Sequence, residues 1–181
     1  MTHFAALLRA VNLGPHNRVP MSELKIMLSK LGMKDAQTLL ASGNAVFRSD
    51  MAAAADLERK LEAGCTKHFK LTTDFFVRTL EDLDAVIGAN PFPKQAKEDP
   101  GHLLVLFMKE APSPANVTAL QSAIVGRETV KVVGRQGYFV YPDGVGNSRL
   151  TITLIEKKLG TRGTGRNWNT VLKLAALLKA L

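Results

Sequence analysis

Apolar positions along the chain fall into two kinds of run: short continuous or alternating stretches that suit strands, and stripes at helical spacing that suit helices. Residues 3–11 predict a strand, and PMSELKIMLSKLG predicts a helix with Leu24, Met27, Leu28 and Leu31 on one stripe, Pro20 near its start and Gly32 at its stop. TLLASGNAVF predicts a hairpin turning at Ser42, Gly43 and Asn44, because glycine and asparagine tolerate the positive φ of tight turns. An alanine-rich helix over about 52–68, with Leu57, Leu61 and Cys65 on its buried side, leads into a short aromatic strand from Thr73 to Val77. The first half therefore reads βαββαβ.

The order then begins again. A linking helix over 79–88 has Thr79 and Asp82 in a capping arrangement, and NPFPKQAKEDPG, with three prolines, reads as a loop. HLLVLFMK predicts a buried strand, and SPANVTALQSAI a helix capped by Ser113 with Pro114 in its first turn. VKVVGRQGYFVY predicts a hairpin turning between Gly134 and Gly137; SRLTITLIEKKLG predicts a helix carrying Leu150, Leu154, Ile155 and Leu159 and stopped by Gly160. A stub near 161–164 is left for the last strand, and a basic amphipathic helix from Trp168 to about Ala180 carries Val171, Leu172, Ala175 and Leu178 as its apolar stripe. The expected fold is α+β: two βαββαβ subdomains in tandem, each an antiparallel sheet with helices on one face, plus a C-terminal helix. The expected division is 1–88, a connector at 89–101, and 102–181.

Composition narrows the setting. A chain of 181 residues that is 46% hydrophobic can bury a core without metal or disulfide staples, and one cysteine, Cys65, cannot form an internal disulfide. No segment of about 18 apolar residues is present for a membrane span, and Arg9 breaks the first apolar run where a signal peptide would need continuity. The expectation is a cytoplasmic protein without a membrane partner. Twenty-four Lys and Arg against sixteen Asp and Glu leave +8, which favours anionic partners such as nucleic acid, nucleotides or phosphorylated metabolites. Dispersed surface lysines that serve solubility give the same number.

The topology places the polar loops. In a βαββαβ unit the loop after the first strand and the turn between strands two and three share one end of the sheet; the loop after strand three and the exit of strand four share the other. NLGPHNR (12–18) and SGN (42–44) should therefore be neighbours, offering Asn12, Asn17, Arg18, Ser42 and Asn44. DGVGNSR (143–149) and TGRNWN (164–169) should likewise be neighbours, offering Asp143, Asn147, Ser148, Arg149, Arg166 and Asn167; only a head-to-tail packing of the two halves would merge the two ends into one cleft, which the sequence does not decide. Asn147 or Ser148, and Asn167, are placed to cap helix starts, each contributing about 1 kcal/mol. Capping does not account for Arg149 and Arg166, since a cation beside the positive end of a helix dipole is unfavourable by about 0.3–1 kcal/mol. A bound anion would resolve the conflict, and so would an internal salt bridge through Asp143.

LLRAVNLG followed by NRVPMSELK, LLASGNAVF, NPFP, YPDGVGNSRLT and GTGRNWNTVLKL, in this order and spacing, resembles the bacterial family known as domain of unknown function 1697. The resemblance runs nearly end to end and implies an α+β fold of two ferredoxin-like subdomains, with no established activity and no catalytic residues to transfer. Pro15 and His16 depart from the pattern, standing where a second glycine and a small polar residue are expected.

Known chemical signatures are absent. There is no GxxxxGK[ST] phosphate loop, HExxH, CxxC or EF-hand pattern, and GVGNSR lacks the third glycine of a dinucleotide fingerprint. No cofactor or metal is expected. His3, His16, His68 and His102 are scattered, and Cys65 sits at a core spacing. Three readings remain open: a site for a small anionic or phosphate-bearing ligand, a single-stranded nucleic-acid module suggested faintly by GYFVY (137–141), and an enzyme acting on a phosphorylated substrate through Asp143 or His16. Oligomeric state is not legible.

Overall fold

The computed structural model describes all 181 residues. In chain order these form β1 (Thr2–Leu8), α1 (Met21–Lys30), β2 (Lys34–Leu39), β3 (Asn44–Ser49), α2 (Ala54–Phe69), β4 (Phe75–Thr79), α3 (Leu80–Gly88), α4 (Pro93–Glu98), β5 (Leu103–Met108), α5 (Pro114–Ser122), β6 (Thr129–Val133), β7 (Gln136–Val140), α6 (Ile152–Leu159), β8 (Gly163–Asn167) and α7 (Trp168–Lys179). The fold is mixed α+β with two separate four-stranded antiparallel sheets, ordered β2-β3-β1-β4 and β6-β7-β5-β8. Two compact units result: Met1–Ala85 together with Lys173–Leu181, and Val86–Leu172.

In the first unit β1 lies between β3 and β4, and Phe4 to Leu8 are all buried, so both faces of this strand leave water. Alternation sends Phe4, Ala6 and Leu8 to one face, where they join Phe47, Phe75, Val77 and the stripes Leu24, Met27, Leu28 of α1 and Leu57, Leu61, Cys65 of α2. Phe4 and Phe47, paired across the strands, have ring centroids 6.1 Å apart. The edge strand β4 would show unpaired N–H groups, and α2 reaches across to them: Glu58 accepts from Val77 N at 2.9 Å and Glu62 from Phe75 N at 3.0 Å. The predicted capping arrangement at α3 is present, with Thr79 N donating to Asp82 Oδ2 at 2.9 Å and Asp82 N donating to Thr79 Oγ1 at 3.1 Å.

The second unit repeats the scheme. β5 is central, and Leu104, Leu106 and Met108 pack with Phe139, Tyr141, Ile155 and Leu159 on the helix face. Glu156 of α6 accepts from Gly163 N of the edge strand β8 at 3.2 Å, as α2 does for β4. At the other edge Gln121 of α5 donates to Val130 O of β6 at 3.0 Å. The hydroxyl of Tyr138, on the opposite face, donates to Val86 O at 2.6 Å. Ser113 caps α5 as its sequence predicts, accepting from Asn116 N at 3.1 Å.

Four expectations are corrected. NPFPKQAKEDPG is not a plain loop: it holds α4, with Pro93 in the first turn, and a 3-10 turn at Pro100–His102, because KQAKE is a run of good helix formers behind a proline start. The last strand is Gly163–Asn167, not a stub at 161–164. Its glycines hide it from propensity, yet a Cβ at Gly163 or Gly165 would come 2.9 Å from the side chain of Leu106 or Leu104. α6 is capped by Thr151, whose Oγ1 accepts from Leu154 N, rather than by Asn147 or Ser148. On α7 the buried stripe runs Val171, Leu174, Ala175, Leu178, and Leu172 faces out.

Two measurements test this account. Glu62→Leu should cost about 1–3 kcal/mol by leaving Phe75 N–H without its acceptor, while Glu62→Gln should cost under about 1 kcal/mol; urea unfolding with amide exchange at Phe75 reads both. Burial pushes Tyr138 and Tyr141 up to about 12 and the Cys65 thiol up to about 11, from ordinary values of 10.0 and 9.0. Folded values above unfolded ones give stability that is complete below about pH 9 and lost as pH rises towards 12. Burial lowers Arg166 to about 10, which acts with the opposite sign on the same range, but three groups outweigh one. The urea midpoint should fall steadily above pH 9, with tyrosinate absorbance appearing only as the chain unfolds.

Candidate functional site

The segment from Arg9 to Pro20 joins β1 to α1, whereas only Lys109 to Ser113 joins β5 to α5 at the same place in the second unit. This longer loop is knotted on one side chain. Asn12 Nδ2 donates to Val19 O at 2.9 Å and to Ala41 O at 2.7 Å, while Asn12 Oδ1 accepts from Val19 N at 2.8 Å. Asn12 N also donates to Asn17 O at 3.0 Å. Asparagine suits the left-handed φ of 56° and 57° at Asn12 and Asn17, and the same region is forced on Ala10 and Leu40 at 52° and 61°. Across from it Leu8 N donates to Gly43 O at 2.8 Å, and a Cβ at Gly43 would sit 2.6 Å from Val11 Cγ2, so glycine is required there for contact as well as for its φ of 84°. The loop 12–18 and the β2–β3 turn are thus neighbours, as the element order demands.

Within this group the roles divide. Asn44 is buried, and its Nδ2 donates to Leu39 O at 2.8 Å and to Ser42 Oγ at 2.9 Å, so Asn44 and Ser42 close the hairpin turn. Asn17 is exposed and gives its carbonyl to the loop. Arg18 is exposed and borders an open cavity of about 420 Å³, whose wall is made by Asn12, Gly14, Val19, Pro20, Met21 and Ala41. That wall holds one cation and no carboxylate. The second unit's cavities differ in charge. One of about 350 Å³ has Lys109 and Arg162 beside Glu110 and Glu156; one of about 370 Å³ has Lys131, whose ammonium lies 5.5 Å from the Phe92 ring, beside Glu128.

The second polar cluster is held together internally. Asp143 forms a two-pronged pair with Arg127, and Asn147 Nδ2 donates to Asp143 O at 3.1 Å. Ser148 donates to Glu128 and accepts from Leu150 N at 3.0 Å, and Tyr141 OH donates to Leu150 O at 3.1 Å. Arg127 is held further above its ordinary value by hydrogen bonding to Asp143. Arg149 is exposed and lies just before Thr151, the cap of α6. Arg166 lies inside β8, 7% exposed, and donates to Thr164 Oγ1 at 2.7 Å and Gly165 O at 2.8 Å. Asn167 is the cap of α7, with Oδ1 accepting from Thr170 N at 2.9 Å. Arg166 thus directly precedes the cap of α7, as the sequence places it, with its guanidinium bonded to Thr164 and Gly165. The internal Asp143 pair is present, and its partner is Arg127.

Comparison with known proteins places the chain. The family described as "Protein of unknown function (DUF1697)" matches residues 1–138. The chain belongs to this family. The matched part contains the whole of the Arg18 cavity and stops before the 143–149 loop. A solved structure titled as that of conserved bacterial protein SP0830 from Streptococcus pneumoniae has 26% identity, covers 99% of each chain, and superimposes with a TM-score of 0.77. No curated protein matches.

One feature of this DUF1697 chain escapes a reading of its sequence: Arg78 is buried too, at 2% exposure, with a nitrogen donating to Val77 O at 2.9 Å and lying 3.9 Å from Glu58. Arg78 pairs with Ala5 and Thr79 with Phe4; in the second unit Arg166 pairs with Val105 and Asn167 with Leu104. Each fourth strand thus ends on a buried arginine followed by a helix cap. Arg-Thr and Arg-Asn before a helical stripe were the available signal. Cys65 lies in the core, where burial pushes its thiol up to about 11. His16 is exposed in the Arg9–Pro20 loop. No three His, Cys, Asp or Glu side chains gather in a metal-binding group, and no helix is long and apolar enough to cross a membrane.

The Asn12 clamp is testable. Asn12→Ala should cost about 2–4 kcal/mol, from three lost bonds at about 0.5–1.5 kcal/mol each and a β-carbon in a left-handed backbone without a local partner. Asn12→Gly should recover about 1 kcal/mol of that by relieving the backbone alone. Urea unfolding of the two variants against the parent gives the difference.

Proposed function

We propose that the protein binds a small anionic or phosphate-bearing ligand in the first-unit cavity, with Arg18 as the cation that receives it. The observation carrying this reading is the charge of the cavity wall, one guanidinium with no carboxylate to neutralise it, against the mixed charges of the second unit's cavities. The Asn12 clamp supports it by holding Val19 and Ala41, two wall residues from different loops, at fixed positions. The wider net charge of +8 adds a favourable field for an anion.

The sheet orders and the β-α-β-β-α-β succession support two ferredoxin-like subdomains in tandem. A buried lone cysteine fits a reducing, cytoplasmic setting. The nucleic-acid reading draws no support from sheet aromatics, since Phe107, Tyr138, Phe139 and Tyr141 are buried and present no face for base stacking. For an enzyme on a phosphorylated substrate, Asp143 is engaged by Arg127, leaving His16 as the acid–base group of the candidate loops.

A thermal-shift panel of phosphate, sulfate, acetate, nucleotides, sugar phosphates and short oligonucleotides tests the proposal. A ligand at a hundred times its Kd contributes about 2.7 kcal/mol, a melting rise of about 5–10 °C for a chain of this size. Arg18→Ala should keep the parent melting temperature within about 2 °C and lose the rise, whereas Arg149→Ala should keep both. A rise that survives Arg18→Ala, or no rise with any anion, overturns the proposal.

A further inference from the structure

We infer that the ligand is an organic monoanion with an apolar arm: a carboxylate on Arg18 and a hydrocarbon or aryl tail over Leu13 and Leu40. This rests on the anion site proposed above and narrows it. The first argument is charge. The cavity offers one guanidinium, and a polyphosphate brings several negative charges that a single exposed arginine cannot answer. A carboxylate matches it one to one, in the two-pronged geometry that guanidinium favours.

The second argument is hydrogen-bond supply. Both amide hydrogens of Asn12 are committed to Val19 O and Ala41 O, so the polar residue in the wall has no donor left for a ligand's oxygens. Val19, Pro20, Met21 and Ala41 present mostly hydrocarbon. Such a wall suits a ligand with one charged end and little other polarity.

The third argument is the exposed pair of leucines. Leu13 lies between Asn12 and Gly14, and Leu40 precedes Ala41; they are 80% and 49% exposed. The Asn12–Ala41 bond, 2.7 Å long, ties the two segments that carry them. Scattered single leucines on a surface need no explanation, but these two adjoin wall residues of one cavity along the chain and leave apolar area in water that a ligand's arm would cover.

Isothermal titration of the full chain with acetate, butyrate, hexanoate, 1-hexanol and inorganic phosphate tests the inference. Hexanoate should bind more tightly than butyrate, by about fourfold for each added methylene. 1-Hexanol should bind at least about tenfold more weakly than hexanoate, and Arg18→Gln should weaken hexanoate by about tenfold. Leu13→Ser with Leu40→Ser, at one exposed and one half-exposed position, should flatten the chain-length dependence while leaving butyrate nearly unchanged. Equal affinity along the acid series, hexanoate binding that ignores all three substitutions, or 1-hexanol equal to hexanoate overturns the inference. Phosphate binding tighter than hexanoate and lost in Arg18→Gln overturns it too, but leaves the anion site standing. No anion dependent on Arg18 removes both.

Discussion

Burial of the central strand of each sheet on both its faces is the constraint from which the rest follows. β1 and β5 each pair on both sides, so their backbone groups are satisfied by neighbours, and an unbroken apolar run such as Phe4 to Leu8 can leave water without orphaning polar atoms. That arrangement moves the problem of unpaired backbone to the edges. The helices answer it with side chains: Glu58 and Glu62 on β4, Glu156 on β8, Gln121 on β6. Residues that look like ordinary solvated helix positions thus close the sheets, and they discourage further strands from adding there.

The same geometry explains the buried arginines. A fourth strand must end and hand the chain to a helix within one or two residues, and in both units it does so with arginine and then a capping side chain. Burial lowers Arg166 to about 10. Its guanidinium is held by Thr164 and a backbone carbonyl, and its lowered affinity for a proton records the loss of water around it. It remains charged at neutral pH.

The two units share a frame and differ in one loop. Between the first strand and the first helix the second unit uses a short link, whereas the first spends Arg9–Pro20, several left-handed residues and an asparagine clamp on the same connection. That loop borders the cavity whose wall holds one cation and no carboxylate, and it is there that we propose the ligand site of this DUF1697 chain. The loop that carries Asp143, Asn147 and Ser148 looked similar in composition, yet its polar groups are consumed in pairs with Arg127, Glu128 and its own backbone. Composition alone does not show which polar groups of a loop pair with one another.

The sequence by itself determined the two sheets and the order of their elements, since apolar period, caps and glycine stops act over a few residues and are written locally. The Thr79–Asp82 box, the Ser113 cap and the neighbouring of Asn12 with the 42–44 turn were legible for that reason. β8 was hidden because Gly163 and Gly165 are there for close approach to Leu106 and Leu104, a reason that exists only across strands. The fate of each polar side chain was hidden for the same cause. Asn44 turned to its own hairpin, Asp143 to Arg127, Arg166 into the sheet, and Arg18 stayed at an open cavity; hydrogen bonds and charges choose partners by distance in space, and tertiary structure alone sets those distances.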